Sequence, residues 1–259
     1  MTKNNQDKIP TPLRFVCIIP ARYQSTRFPG KPLVYIGGKT MIQRVYEQVT
    51  KVLPDVYVAT DDQRIFDAVT SFGGKAIMTS DKHKSGTDRC YEAFSKLDEW
   101  FDVVVNVQGD EPFIQPEQIS EILTCFDVPD TQIATLAKRL TENDNFETLQ
   151  NPNNPKLVVN SHNEAMYFSR SVIPFKRGSE TESWISQHSY LKHVGIYAYR
   201  VDILRELTIL KQSPLEIAES LEQLRWLENG YRIKVGYTDV ETFGIDTPED
   251  LEKVKRMFI

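Results

Sequence analysis

A chain of 259 residues with 40% hydrophobic and 26% charged side chains can bury an ordinary core without disulfides or structural metal. Its net charge of −5, from 31 basic and 36 acidic residues, argues against general binding of nucleic acid or of an anionic membrane, so any anionic ligand must be met by a local concentration of cations. Cys17, Cys90 and Cys125 are widely spaced, and with His83, His162, His188 and His193 they match no disulfide or zinc pattern.

The first dozen residues, MTKNNQDKIPTP, are polar and lack the apolar stretch of a secretory signal. No apolar run approaches a membrane span. The expectation is a polar tail over 1–12 and one cytoplasmic domain over 13–259. Residues 13–19 are apolar and β-branched and predict a buried strand ended by Pro20. A polar loop follows to Gly38. Thr40 is an N-cap, and Ile42, Val45, Val49 and Val52 predict a helix to about residue 52. A strand over 55–59, a helix over 61–72 stopped by Gly73-Gly74, a strand over 75–78 and a helix over 85–97 come next. DVVVNV (102–107) is a strongly buried strand, followed by a helix over 116–126 and a strand over 132–138.

Strands alternating with helices predict an α/β fold, a mixed, mostly parallel Rossmann-like sheet with helices on both faces. Ligands of such sheets sit beyond the C-terminal ends of the strands. After NPNNPK the rhythm changes: residues 157–160, 165–168 and 193–200 read as strands without intervening helices, so 156–200 is expected to be an inserted lobe used for self-association and sugar binding. Ser213-Pro214-Leu215-Glu216 forms a capping box, and a helix from there to Gly230 would bury Leu215, Ala218, Leu221 and Leu224 and leave Glu222 to point elsewhere. A strand over 232–237 and a helix from Thr247-Pro248 complete the chain.

Two segments at strand C-termini carry unusual chemistry. PARYQSTRFPGKPL (20–33) places Arg22, Arg27 and Lys31 in ten residues with no acid between them, a local reversal of charge suited to a triphosphate. It is neither a Walker loop nor a dinucleotide fingerprint, since Gly38-Lys39-Thr40 lacks its partner glycine at 33, which is Leu. QGDEP (108–112) sends Asp110 off the end of a buried strand, where a carboxylate can hold Mg²⁺ beside phosphates. Asp246, just before the last helix, is a second candidate carboxylate, and Ser85-Gly86-Thr87-Asp88-Arg89 could read a base or ribose. Taken alone each has a plainer explanation: a solvated basic loop, a Gly-Asp turn, an acid favoured by the helix dipole, a capped helix.

In order, PARYQSTRFPGKPL, ATDD, SGTDR, VNVQGDEP, FSRSVIP, HVGIYAYR, SPLE with LEQLR, and IDTPEDLE resemble the 3-deoxy-manno-octulosonate cytidylyltransferases, or CMP-Kdo synthetases, from about residue 15 to the C-terminus. The CMP-sialic acid synthetases share a looser version of the first loop. The resemblance implies a nucleotide-diphospho-sugar transferase fold, a homodimer formed through the inserted segment, and Mg²⁺-dependent transfer of CMP from CTP to Kdo for lipopolysaccharide synthesis. It implies that Pro20, Ala21, Arg22, Ser25, Arg27, Lys31, Arg89, Gln108 and Asp110 meet CTP. It implies too that Asp110 and Asp246 hold the metal, and that Gln108, Arg170, His193, Tyr197, Glu222 and Gln223 hold the sugar acid. Arg22, Lys31, Asp110 and Asp246 carry the catalysis in that reading. The family's HxGIYGYR reads HVGIYAYR here, with Ala198 for Gly, and the polar start is about a dozen residues longer. The rival readings are the same chemistry on 8-amino-Kdo or a sialic acid, and a non-catalytic nucleotide-binding protein, which loss of Asp110 or Asp246 would have favoured.

Overall fold

The computed structural model describes residues 12–24, 28–241, 244–245 and 247–257. The first apolar run forms β1 (Phe15–Ala21), with Val16, Cys17, Ile18 and Ile19 fully buried. A strand apolar on both faces belongs inside a parallel sheet covered on both sides. After it come a short hairpin, β2 (Tyr35–Ile36) and β3 (Lys39–Thr40), then α1 (Met41–Val49), β4 (Val56–Thr60), α2 (Gln63–Ser71), β5 (Ala76–Met78), α3 (Gly86–Ser95), β6 (Val103–Asn106), α4 (Pro116–Thr124) and β7 (Ile133–Arg139). The helices begin at side-chain caps: Thr40 accepts the Gln43 amide at 3.3 Å, Asp62 the Arg64 amide at 3.0 Å and Ser85 the Asp88 amide at 3.1 Å.

The second half contains α5 (Phe146–Gln150), β8 (Lys156–Val159), β9 (Ala165–Ser169), α6 (Trp184–Gln187), β10 (Leu191–Arg200), α7 (Val201–Thr208), α8 (Pro214–Glu219), α9 (Gln223–Glu228), β11 (Ile233–Thr238) and α10 (Pro248–Met257). Among the described residues the main sheet runs β11-β7-β10-β6-β1-β4-β5, with β8 and β9 attached to β10. Within that path β10 alone runs antiparallel to its neighbours. The mixed, mostly parallel sheet expected from the sequence is therefore present. One face packs on α1, α2 and α4 through Ile42, Val45, Val69, Ile119 and Ile122. The other packs on α3, α7 and α9 through Cys90, Ala93, Leu204, Leu224 and Trp226.

Segment 156–200 is joined to the main sheet. β8 and β9 extend the sheet as an antiparallel pair, and β10 runs through its interior, between β6 and β7. Three steps along β10, from Val194 to Tyr197, match one step along β7, from Leu136 to Thr135. Such a bulge re-aims the residues around it. The Thr135 hydroxyl fills the opening by donating to the Ile196 carbonyl at 2.8 Å.

The helix expected from Ser213 to Gly230 is two helices. The capping box forms as read, but Ser220 adopts φ 51, ψ 46 and ends α8. The Arg170 guanidinium supplies the reason, because its Nε and Nη2 donate to the Glu219 and Ser220 carbonyls at 2.6 and 3.2 Å. These are carbonyls that a helix end leaves without internal partners. Leu215 is consequently 37% exposed rather than buried, whereas Leu221 and Leu224 enter the core.

Candidate active site

β1 and β6 are adjacent and parallel, so the loops that leave Ala21 and Asn106 emerge side by side. They press together closely: a Cβ on Gly109 would sit 2.9 Å from the Pro20 carbonyl oxygen, which leaves room for glycine alone. Across this seam Lys31 Nζ meets Asp110 Oδ2 at 2.6 Å. Lys31 is 12% exposed and Asp110 34%, so the pair lies at the mouth rather than in the core. Gly30, at φ +73, starts the single 3₁₀ turn Lys31–Leu33 that aims Lys31 at Asp110. The Ile245 amide donates to the Asp110 carbonyl at 3.1 Å, which joins the chain just ahead of Asp246 to this mouth. α10 follows, packing Leu251 and Val254 on Ile36 and Met41.

The first turn of α3 closes the next side. A Cβ on Gly86 would lie 3.4 Å from Pro20 and 3.7 Å from Gln108 Oε1, and Gln108 Nε2 donates to Asn106 at 3.0 Å. Arg89, expected to contact CTP, is fully buried. Its Nη2 holds Asp61 at 2.8 Å and its Nη1 holds Thr79 at 2.6 Å, so it works from behind the site. Arg22 reaches toward this cluster. Burial and the nearby charge of Arg89 lower the Arg22 guanidinium, while Asp61, Asp88 and Glu222 act in the opposite sense.

The remaining predicted residues gather on the sheet face beyond. Tyr197 pairs with Asn106 on one side and Thr135 on the other. The bulge brings His193 onto the same face, with ring centroids 5.4 Å apart and Thr135 Oγ1 3.0 Å from His193 Nε2. Burial lowers the His193 imidazole to about 3, and burial, with the Glu222 charge adding to it, raises the Tyr197 phenol well above its usual range. Both side chains are neutral at physiological pH. Glu222 sits at the break between α8 and α9, accepting from Thr87 Oγ1 at 3.1 Å and Arg225 Nη2 at 2.7 Å. Burial raises its carboxyl, and Arg225 and Thr87 moderate the rise. Gln223 is buried beside it, and neither Gln223 Nε2 nor Trp226 Nε1 has a hydrogen-bond partner among the described residues.

A cleft of about 680 Å³ opens beside Glu222, bounded by Ser85, Asp88, Gln212, Ser220 and Arg225. Another, of about 480 Å³, lies at the opposite ends of β7 and β11 beside Gln132 and Arg232 and contains none of the predicted residues. Arg170 is the predicted residue whose placement differs most from expectation. Besides capping α8 it donates to the Pro152 carbonyl at 2.8 Å, so its guanidinium is engaged by backbone. Ser25, Arg27 and Asp246 lie outside the described residues. Sequence reasoning did not single out Thr135, Asn106 or Asp61. Asp61 stands in the ATDD motif and Asn106 in VNVQGDEP, but Thr135 sits in a strand whose apolar pattern gives no hint that a polar side chain faces a site. Among the described residues no group of three or more His, Cys, Asp and Glu side chains is arranged to hold a metal ion.

A mixed, mostly parallel sheet with a basic loop, an acidic loop and a row of polar groups at one end is the arrangement expected of a nucleotidyltransferase. The Cytidylyltransferase family model matches residues 16–233. The 3-deoxy-manno-octulosonate cytidylyltransferase of Parabacteroides distasonis is 64% identical over 242 residues, covering 93% of this chain and 96% of that one. A solved structure of CMP:2-keto-3-deoxy-manno-octonic acid synthetase complexed with CTP superposes with a TM-score of 0.86 at 45% identity, covering 95% of this chain and 98% of the other. A 4-diphosphocytidyl-2C-methyl-D-erythritol synthase from Anaerococcus prevotii, at 12% identity and TM-score 0.58 with 95% and 98% covered, shares the fold. The chain belongs to the 3-deoxy-manno-octulosonate cytidylyltransferase family of enzymes. No helix among the described residues is long and apolar enough to cross a membrane.

Proposed function

We propose that this protein transfers CMP from CTP to Kdo, releasing pyrophosphate and supplying CMP-Kdo for lipopolysaccharide, in a Mg²⁺-dependent reaction in the cytoplasm. The reading rests on the names of the relatives and on the convergence of Lys31, Asp110 and Arg22 at the ends of β1 and β6, near a row of polar groups that includes His193, Tyr197 and Glu222.

The anomeric hydroxyl oxygen of Kdo forms the new bond to the α-phosphorus while the α–β anhydride bond breaks, the electron pair leaves on pyrophosphate, and the hydroxyl proton passes to solvent. Such a transfer calls for alignment and neutralisation of charge rather than a covalent intermediate. Lys31 and Arg22, with Arg27, would meet the charge that develops on the leaving group. Asp61, held by Arg89, offsets part of the repulsion between the Arg22 and Arg89 guanidinium groups. Gln108, Tyr197, His193, Glu222 and Gln223 would take the sugar, whose hydroxyls can satisfy the orphaned Gln223 amide. Arg170 would meet the sugar carboxylate if its guanidinium turns from the helix carbonyls, since arginine suits that group.

Asp110 and Asp246 would hold Mg²⁺. The chemistry fits: Asp110 is a hard oxygen donor, partly exposed, and already pairs with a cation. Mg²⁺ is commonly held by one or two carboxylates together with substrate phosphates. When bound, it would neutralise phosphate charge and polarise the α-phosphoryl group. Lys31 would then turn from Asp110 to the phosphate oxygens. Self-association is part of the proposal. β9, which pairs only with β8 among the described residues, carries Met166 at 62% exposure, and Phe175 beyond it is 76% exposed.

The test is pyrophosphate release from CTP, ATP, GTP and UTP, each with Kdo, 8-amino-Kdo or N-acetylneuraminate, with Mg²⁺ and with a chelator. Release is expected to need CTP, Kdo and Mg²⁺ together. Equal rates with N-acetylneuraminate, or rates unmoved by chelation, would overturn the assignment.

A further inference from the structure

Tyr23 has no part in the chemistry above, yet the phosphate mouth is built around it. Residues 23 and 30 close the loop after β1 at its neck, the Gly30 amide donating to the Tyr23 carbonyl at 2.8 Å. The Tyr23 ring also lies against Gly30, where a Cβ would come within 3.2 Å of its Cζ and Oη atoms. The Arg64 guanidinium covers the same ring, 3.3 Å from its centroid. Arg64 is itself fixed: its Nε and Nη2 donate to the Asp62 carboxylate at 2.9 and 2.7 Å, and that carboxylate caps α2 through the Arg64 amide at 3.0 Å. A continuous set of contacts therefore runs from the start of α2 through Arg64 and Tyr23 to Gly30.

The two described cations of the mouth flank this neck. Arg22 immediately precedes Tyr23, and Lys31 immediately follows Gly30. Holding the neck sets one cation relative to the other, and sets Lys31 at its 2.6 Å contact with Asp110. Glycine at φ +73 has many other conformations open to it, so something outside the residue must select this one. The ring and its guanidinium cover do so.

The geometry points to Tyr23, backed by Arg64, as a positioning residue that pre-arranges Arg22 and Lys31 for the triphosphate. The inference rests on the reading of those cations as CTP ligands. Pre-arrangement lowers the ordering cost of binding, so its loss appears in CTP use and leaves the sugar end alone.

The experiment measures KM for CTP and for Kdo separately, by pyrophosphate release with Mg²⁺, in the wild type and in Tyr23→Phe, Tyr23→Ala, Arg64→Gln and Lys31→Ala. Tyr23→Phe keeps the ring and should stay within about twofold for both substrates. Tyr23→Ala should raise KM for CTP on the order of tenfold, with KM for Kdo unchanged. Arg64→Gln should raise KM for CTP by about two- to fivefold, as expected of an exposed cation–π contact, and add nothing in the Tyr23→Ala background. A Tyr23→Ala variant with unchanged KM for CTP, an equal rise for both substrates, or a Tyr23→Phe as impaired as Tyr23→Ala would overturn the inference. Arg64 is 59% exposed, so Arg64→Gln decides the matter even if Tyr23→Ala fails to fold. If Lys31→Ala leaves KM for CTP unchanged, the cation assignment itself fails. If Lys31→Ala raises it while Tyr23→Ala does not, only the positioning role fails.

Discussion

The two ends of the site treat charge in opposite ways. At the mouths of β1 and β6 the groups are ionised, partly exposed and matched, with Lys31 on Asp110. On the β10 face His193 and Tyr197 are neutral, both moved by burial away from their charged forms, while burial raises the Glu222 carboxyl at the edge of the cleft and its ion pair with Arg225 at 2.7 Å acts against the rise. An end that must bind a polyanion keeps its charges wet and compensated, because burying an unpaired charge costs several kcal/mol. An end that must recognise a polyhydroxylated sugar can be dry, because neutral donors and acceptors satisfy hydroxyls without that cost.

The largest test of this contrast is removal of charge at the mouth. Asp110→Asn should reduce turnover by on the order of a hundredfold or more. It should remain folded by circular dichroism, since Asp110 is partly exposed. Near-normal pyrophosphate release would erase the distinction between the two ends. Next is the seam. Gly109→Ala forces a Cβ to within 2.9 Å of a backbone carbonyl. It should cost about 1–3 kcal/mol in denaturant unfolding and lower turnover by about tenfold as the Asp110 loop shifts.

At the dry end the expected effects are smaller and depend on pH. His193 falls from 6.5 to about 3 in the fold, so the unfolded chain takes up that proton first. Its contribution to stability is complete above about pH 6.5 and is lost as pH falls toward 3. His193→Gln should flatten the acid limb of a plot of Tm against pH over that window, and an unchanged limb would mean that the ring is well solvated. Glu222 moves the other way. Its folded value lies above the ordinary 4.5, so ionisation costs the fold as pH rises through that range. Glu222→Gln should match wild type below pH 4.5 and exceed it in Tm at neutral pH.

The contrast also explains what could be read in the sequence. Cations crowded into 20–33 in an acidic chain, and an aspartate at the end of DVVVNV, are local signals, and they sit at strand C-termini as expected. Caps at Thr40, Ser85 and Ser213 are equally local and are present in the fold. The dry end depends on contacts distant in sequence. Nothing in SPLEIAES announces that Ser220 will turn left-handed, because the arginine that takes its carbonyl lies 50 residues earlier. The apolar pattern of 193–200 predicts a strand but not that it runs antiparallel through the middle of the sheet, nor that a bulge sets His193 beside Tyr197. α7 is different: Ile203, Leu204 and Leu207 are spaced for a helix, and the signal was there to be used.

The most direct measurement is a two-by-two comparison of Lys31→Ala and Glu222→Gln, with KM determined for CTP and for Kdo in each. A division of labour between a charged mouth for CTP and a separate pocket for the sugar predicts that Lys31→Ala raises KM for CTP by on the order of tenfold and leaves Kdo nearly unchanged, and that Glu222→Gln, which removes a carboxylate acceptor, does the reverse. If both variants raise both constants alike, the two ends are not separate sites for two substrates, and the account is wrong.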